Sequence, residues 1–239
     1  MIANQAIQAL ATRLQTTELN LRREYFQHLF LSYFYQQAGT DLIYFKGGTA
    51  LRILYNSPRF SEDLDFSSTT SDISVIEEAI QGTLAAIARE NINVDLAEAT
   101  LTTGGYLAIV TFQADHESIA IQLEISLCKG EKRGAATMIA SDLIPAFIVI
   151  ALEKEQLVDE KIQALLSRKK ARDFYDLYFI LRANLLAPEQ RDVLARALAV
   201  LKESRIDFEK ELKEFLPRSQ WAIMRDFPRT LEREIERLL

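Results

Sequence analysis

The sequence predicts an α+β domain followed by a helical half, and three observations carry that prediction. Both ends of the 239-residue chain place apolar residues three and four apart, as amphipathic helices do. The middle is rich in Val, Ile and Phe and contains a clean alternation, as strands do. Between the first helical stretch and that middle lies KGGTALRILYNSPRFSEDLDF, Lys46 to Phe66, where a Gly-Gly pair, an Arg and two carboxylates follow in order.

Residues 1 to about 38 read as helical, through LATRLQ and LRREYFQHLFLSYFYQQ, and Ala38-Gly39-Thr40-Asp41 ends them. Leu42 to Phe45 is a short apolar run that suits a buried strand, stopped by a turn at Gly47-Gly48. A short helix over Thr49 to Leu54 and a short strand over Leu64 to Ser67 come next. Ile73 to Glu90 reads as a helix, with Ser71 or Asp72 as N-cap. Asn93 to Leu96, Leu107 to Gln113 and Ile119 to Leu127 read as strands; in the last, odd positions are apolar while Gln122, Glu124 and Ser126 alternate with them. That period of two puts Glu124 on the polar face. From Ile144 the pattern reads as helical to the end, with breaks near Ser167, near Pro188, around Leu216-Pro217 and at Pro228. The α+β part, roughly 35 to 130, falls in an N-terminal domain of residues 1–135, and residues 136–239 form a helical domain; no repeat or low-complexity linker separates them.

Composition narrows the function classes. A chain that is 49% hydrophobic and 26% charged, with 8 Gly and 5 Pro, folds rather than remaining disordered. The single Cys128 excludes an intramolecular disulfide and a Cys-rich zinc site, and His28 and His116 are too few for a His cluster. MIANQAIQALATRL lacks the basic start and apolar core of a secretory signal, and no uncharged apolar run is long enough to span a bilayer. A soluble cytoplasmic protein with no membrane partner is the expectation. The formal net charge of -6 argues against general charge-driven nucleic-acid binding but leaves room for a local patch. Arg168, Lys169, Lys170 and Arg172, with Lys161 upstream, form one, although a solvated helix end explains them as simply.

Two clusters carry chemistry. If Asp63-Leu64-Asp65 is a strand, both carboxylates share a face, and with Glu124 on a second strand they make an acidic triad of hard oxygen ligands suited to Mg²⁺. The Gly47-Gly48 turn would let backbone N–H groups approach a phosphate, with Lys46 and Arg59 as cationic contacts. Taken singly, a D-x-D pair is a common strand edge, Glu124 an exposed strand residue and Gly-Gly a turn; the ordered combination is much more specific. The second cluster is EKIQAL followed by KARDFYDLY, residues 160–165 and 170–178. Helical spacing allows Arg172 to pair with Asp176, and Asp173 with Lys169 or Lys170. By itself this reads as surface ion pairs beside a core stripe of Phe174, Leu177, Tyr178 and Leu181.

Together, FKGGTALRILY…RFSEDLDF and DEKIQALLSR…KARDFYDLYFIL resemble the AbiEii (AbiEii/AbiGii) toxin family over roughly residues 25 to 185, with nothing recognisable from about 188 onward. The resemblance implies a DNA polymerase β-like nucleotidyltransferase core, a small mixed sheet with flanking helices, followed by a C-terminal helical bundle. It implies a type IV toxin–antitoxin enzyme, with NTP as substrate, Mg²⁺ as cofactor, the 3′ end of tRNA as acceptor and a cognate antitoxin encoded nearby. Carried over residue by residue, Gly47 and Gly48 stand where the triphosphate meets the glycine turn, Asp63 and Asp65 at the metal-binding pair, and Glu124 at the third carboxylate. Lys161 matches a lysine that contacts the triphosphate, and Asp173, or alternatively Asp176, a further acidic position needed for activity. The departures are Gly-Gly-Thr where the superfamily often has Gly-Ser, which Thr49 compensates, and Glu for Asp at position 124. The expected reaction is in-line attack of an acceptor hydroxyl on the α-phosphate, with pyrophosphate leaving. The rivals are a same-fold enzyme adenylylating a protein or small molecule, a catalytically silent nucleotide-binding module, and a helical interaction protein with a fortuitous D-x-D.

Overall fold

The computed structural model describes residues 2–114, 117–127 and 130–239, so Cys128 and His116 lie outside the described residues. The chain divides into two compact units. The first runs up to Asn56 and resumes over Phe60–Leu152; the second comprises Ser57–Arg59 and Glu153–Leu239.

Among the described residues the first unit carries seven strands in one mixed sheet: β1 (Ile43–Lys46), β2 (Leu64–Ser68), β3 (Asn93–Thr102), β4 (Gly105–Ala114), β5 (Glu117–Leu127), β6 (Gly134–Ile139) and β7 (Phe147–Leu152). Their order is β3-β4-β5-β2-β1-β7-β6, with β2 parallel to β5, β1 parallel to β7, and the other neighbours antiparallel. The expected alternation in β5 is realised: Ile119, Ile121, Leu123 and Ile125 are buried, whereas Glu124 is exposed. Helix α2 (Glu18–Phe34) packs on β5 and β7 and on α4 (Ile73–Arg89), α4 also meets β3, and α1 (Asn4–Leu14) packs on α2. Helix α2 is enclosed along its second half, where residues 25–31 are all buried, Gln27 and His28 among them. Its Phe26 stacks on Phe112 at 4.4 Å, and Phe34 meets Phe66 at 5.3 Å. Asp72 is the N-cap of α4, accepting a hydrogen bond from the Ser74 amide at 3.0 Å.

Three expectations need correction. Gly47 and Gly48 are not a free turn but the first residues of α3 (Gly47–Tyr55), so the chain passes from β1 straight into a helix. The strand expected at Asn93–Leu96 continues to Thr102; β3 is a largely exposed edge strand with no apolar face to announce its length. Residues 136–152, assigned to a helical domain and read as helical from Ile144, instead supply most of β6 and all of β7, and the first unit runs to Leu152 rather than ending at residue 135. FIVIAL, residues 147–152, is a continuous apolar run although Ile148 is exposed, and such a run has no period to read.

In the second unit the regular elements among the described residues are helical, as expected: α5 (Lys154–Arg168), α6 (Ala171–Arg182), α7 (Leu194–Glu203), α8 (Phe208–Leu212), α9 (Trp221–Met224) and α10 (Phe227–Glu236), with short 3-10 turns between. The expected break near Ser167 is the α5–α6 junction, and Pro188 opens a 3-10 turn. Helix α6 is central. Its Phe174 meets Phe208 at 5.5 Å, and Phe208 meets Phe227 of the strongly amphipathic α10 at 5.0 Å. No helix among the described residues is long and apolar enough to cross a membrane.

Candidate active site

In the first unit, sheet register assembles the site. Lys46 on β1 pairs in register with Asp65 on β2, and Asp65 with Glu124 on β5, so the three residues form one rung across adjacent strands. Residues on one rung project to the same face. Phe45, Phe66 and Ile125 lie one step along, buried on the opposite face, which explains why the polar rung is turned away from the core. Lys46 and Asp65 are half-buried and Glu124 is exposed. Lys46 Nζ donates to Ser126 Oγ at 3.4 Å, and Gln122 Nε2 donates to Glu124 Oε1 at 2.5 Å. Ser126 and Gln122 were not foreseen as site residues, although both stand on the polar face of the β5 alternation.

Gly47 is required where it stands. Its φ is +85°, and a Cβ added there would lie 1.9 Å from Asp65 Oδ2 and 2.7 Å from Asp65 Cβ. The bare Cα therefore gives Asp65 its place directly beside the start of α3. The N-cap Lys46 makes no side-chain capping bond, and the first amides of α3 stand at the positive end of a nine-residue helix dipole. Thr49 serves the scaffold: it is fully buried and its hydroxyl donates to the Asp63 carbonyl oxygen. Asp63 itself lies one residue before β2, half-buried, so the strand argument for two carboxylates on one face holds only from Leu64 onward.

These residues fit a hard divalent cation. Two carboxylates side by side on parallel strands repel one another unless a cation lies between or above them. Mg²⁺ takes one or two protein carboxylates and completes its shell with water and phosphate oxygens. Asp65 and Glu124 supply that number. Among the described residues no three His, Cys, Asp or Glu side chains are gathered closely enough to hold a metal alone, so the three-carboxylate cage expected from Asp63, Asp65 and Glu124 is not preformed.

The second unit gathers a different cluster around Asp176 on α6. Arg59 meets it in a fork, with Nε to Oδ1 at 2.9 Å and Nη2 to Oδ2 at 3.0 Å, and Lys161 Nζ on α5 reaches Oδ2 at 2.7 Å. The side chains of Arg59, Lys161 and Asp176 are 5%, 11% and 1% exposed. Burial pushes the Asp176 carboxyl up, but the Arg59 and Lys161 charges and hydrogen bonds outweigh it and hold the group below the ordinary carboxylate range. The cluster carries one excess positive charge. The pairing of Asp176 with Arg172 expected from helical spacing is replaced by these partners. Arg59, expected as a phosphate contact, is buried and committed to Asp176.

Asp173 has a separate task. Its carboxylate accepts from the Lys170 amide at 3.2 Å and from Arg168 Nη2 at 2.6 Å, which ties off the start of α6. Its expected partners Lys169 and Lys170 give way to Arg168 because Lys169 adopts a left-handed backbone, φ 54°, as the C-cap of α5. Arg168, Lys169 and Lys170 remain exposed at the α5–α6 junction.

Comparison with known proteins gives the family and the fold. The model of the family described as nucleotidyl transferase AbiEii toxin, type IV TA system, matches residues 29–237. Among curated proteins, none matches. Two solved structures from Helicobacter pylori share the fold. One, of a protein assigned as a nucleotidyltransferase, superposes with a TM-score of 0.68 at 19% identity, covering 93% of this chain and 95% of its own. The other, JHP933, gives a TM-score of 0.66 at 19% identity and covers 93% of both chains.

Proposed function

The chain belongs to the AbiEii family of nucleotidyl transferase toxins of type IV toxin–antitoxin systems, and from that premise we propose that it is a Mg²⁺-dependent enzyme transferring NMP from an NTP to the 3′ end of tRNA. Family membership makes the protein a nucleotidyltransferase and implies an antitoxin partner. The observation that carries the finer reading is the Lys46–Asp65–Glu124 rung beside the N-terminus of α3.

Asp65 and Glu124, with Asp63 at the entry to β2, are the carboxylates that would hold Mg²⁺, which would supply neutralisation of phosphate charge and acidification of an attacking hydroxyl. Gly47 and Gly48 bring the first α3 amides to a phosphate, which the helix dipole favours. Lys46 adds a positive charge to the same rung, and Thr49 fixes the Asp63 backbone. Lys161 is assigned to the triphosphate, its ammonium oriented by Asp176, with Arg59 completing the charge balance around that carboxylate. Asp173 supports this arrangement by fixing the start of α6. Attack of the acceptor hydroxyl on the α-phosphorus forms the new P–O bond and releases pyrophosphate, and positioning with charge neutralisation supplies most of the rate.

The test is incubation of the protein with total tRNA, Mg²⁺ and each α-labelled NTP, beside an Asp65→Asn control. Label on tRNA that disappears in Asp65→Asn supports the reading and names the base. Label on protein or a small molecule replaces the acceptor while keeping the chemistry. No label on any acceptor overturns the reading in favour of a nucleotide-binding module.

A further inference from the structure

The sheet of the first unit ends on two strands that are finished differently. At one edge β3 carries Asp95 and Glu98, and its register against β4 slips between Leu96 and Glu98. Charges and bulges are the devices that keep an outer strand from pairing with another chain. At the other edge β6, GAATMI, has no charge, no proline and no slip in its register with β7. Alternate residues of an outer strand turn their N–H and C=O groups away from the sheet, so β6 offers a ready template for one more strand.

Its side chains are open as well. Met138 is 73% exposed, and Ile148, its partner in register on β7, is 57% exposed. Both stand on the face opposite the buried Val149 and Ala151, with the exposed Ala136 beside them. That is the face of the carboxylate rung, because Ala151 pairs with Phe45 and Lys46 is the next residue on β1. The two ends of β6 differ in charge: Lys132 and Arg133 precede it, and Asp142 follows it. Arg133 contacts Glu131 and Asp142 pairs with Arg13, but all four side chains are more than half exposed, so these partners exchange at little cost.

We propose that β6 docks a second copy of this chain, whose own β6 pairs with it antiparallel and joins the two sheets edge to edge. A strand that pairs antiparallel with its own copy brings opposite ends together. Lys132 and Arg133 of each copy then meet Asp142 of the other, and the match occurs twice because the contact is two-fold. The same pairing takes up the outward backbone groups and covers Met138 and Ile148 of both copies. The β3 edge does not serve, since self-pairing there lays Asp95 and Glu98 of one copy along the same acids of the other. The two-fold stands perpendicular to the joined sheet, so both carboxylate rungs open on one side of it. Six residues from each copy make a contact at the small end of specific interfaces, and the dimer is therefore one that dissociates.

The full-length protein is examined by sedimentation equilibrium at about 1 to 100 μM, the span in which contacts of this size associate. A reversible monomer–dimer equilibrium is expected. Met138→Lys, at an exposed position, sets a charge from each copy beside the two-fold and is expected to leave only monomer, with the melting temperature unchanged. A charge swap then fixes the orientation. Lys132→Glu with Arg133→Glu, and separately Asp142→Lys, are each expected to weaken association about ten-fold, because like charges face one another at both ends. An equimolar mixture of these two variants is expected to regain the native affinity, since both contacts of the mixed dimer are again opposite in sign. The swap also decides the matter if Met138→Lys fails to fold. A protein that stays monomeric over the whole range overturns the proposal and leaves the edge to a strand of another protein. So does a dimer that survives in folded Met138→Lys, or a mixture that associates no better than either variant alone.

Discussion

The two charged clusters of this protein are built on opposite principles. The rung on the sheet sets Asp65 beside Glu124, two like charges on adjacent strands with one lysine at the end of the row. The cluster in the helical unit sets one carboxylate, Asp176, between two cations. The rung is half-buried to exposed; the helical cluster is nearly closed to water. In the proposed mechanism a cation arriving with substrate would relieve the repulsion in the rung, and its residues would then contribute to turnover and little to folding. The Asp176 cluster is complete without a ligand, so its residues contribute to folding and orient Lys161.

The sharpest way to break this comparison is to neutralise one acid from each. Asp65→Asn is expected to lower nucleotidyl transfer by at least about a hundred-fold, the scale of removing one electrostatic contact at a reacting centre, while leaving the melting temperature unchanged or slightly raised. Asp176→Ala leaves Arg59 and Lys161 buried without their counter-charge, and is expected to cost about 3 to 5 kcal/mol of stability by urea titration. The folded-state pKa of Asp176 is depressed, so its stabilising contribution is present above the ordinary carboxylate pKa and lost as pH falls through the folded value. If Asp65→Asn unfolds the protein, or Asp176→Ala leaves its stability intact, the division of labour is wrong.

Legibility in the sequence followed the same division. The rung was accessible because its parts are local: the β5 alternation exposes Glu124 by count, and Asp65 is two residues from Asp63 in a short apolar setting. Only the register, which pairs residues 46, 65 and 124, needed the structure. The helical cluster was not accessible. Arg59 and Asp176 are 117 positions apart, and no local pattern marks an arginine destined for burial. Helical spacing instead offered Arg172, a neighbour in sequence that the fold does not use. It also could not separate Asp173 from Asp176. The structure makes the first a helix-start acceptor and the second the shared counter-ion. The strands β6 and β7 were missed for another reason. GAATMI has no polar alternation and FIVIAL no period at all, so neither announces which face is buried.

A smaller change sharpens the account of the rung. Gly47→Ala forces a side chain onto a backbone at φ +85° and into the Asp65 carboxylate, whereas Gly48 has no positive φ. The left-handed conformation costs roughly 1 to 2 kcal/mol, and Asp65 must move. Transfer activity is expected to fall about ten-fold to a hundred-fold in Gly47→Ala and by a much smaller factor in Gly48→Ala, measured at saturating NTP. Equal losses in the two variants would mean that both glycines serve phosphate approach alone and that the placing of Asp65 is not the constraint.

The smallest effect concerns the basic junction of α5 and α6. Arg168 is a poor probe of RNA binding because it also holds Asp173, so its removal mixes stability with affinity. Lys169 and Lys170 are exposed and separate the two. Lys169 occupies a left-handed position, which asparagine tolerates and alanine does not, so the informative variant is Lys169→Asn with Lys170→Ala. If both lysines meet phosphates of a single-stranded 3′ end, the slope of log K against log salt should flatten by about 1.4, or 0.7 for each contact. At fixed physiological salt the affinity for tRNA should fall only several-fold, with transfer to bound tRNA unaffected. An unchanged slope would return these lysines to the role of solvated cations at a helix end, and would place the acceptor's path elsewhere on the protein.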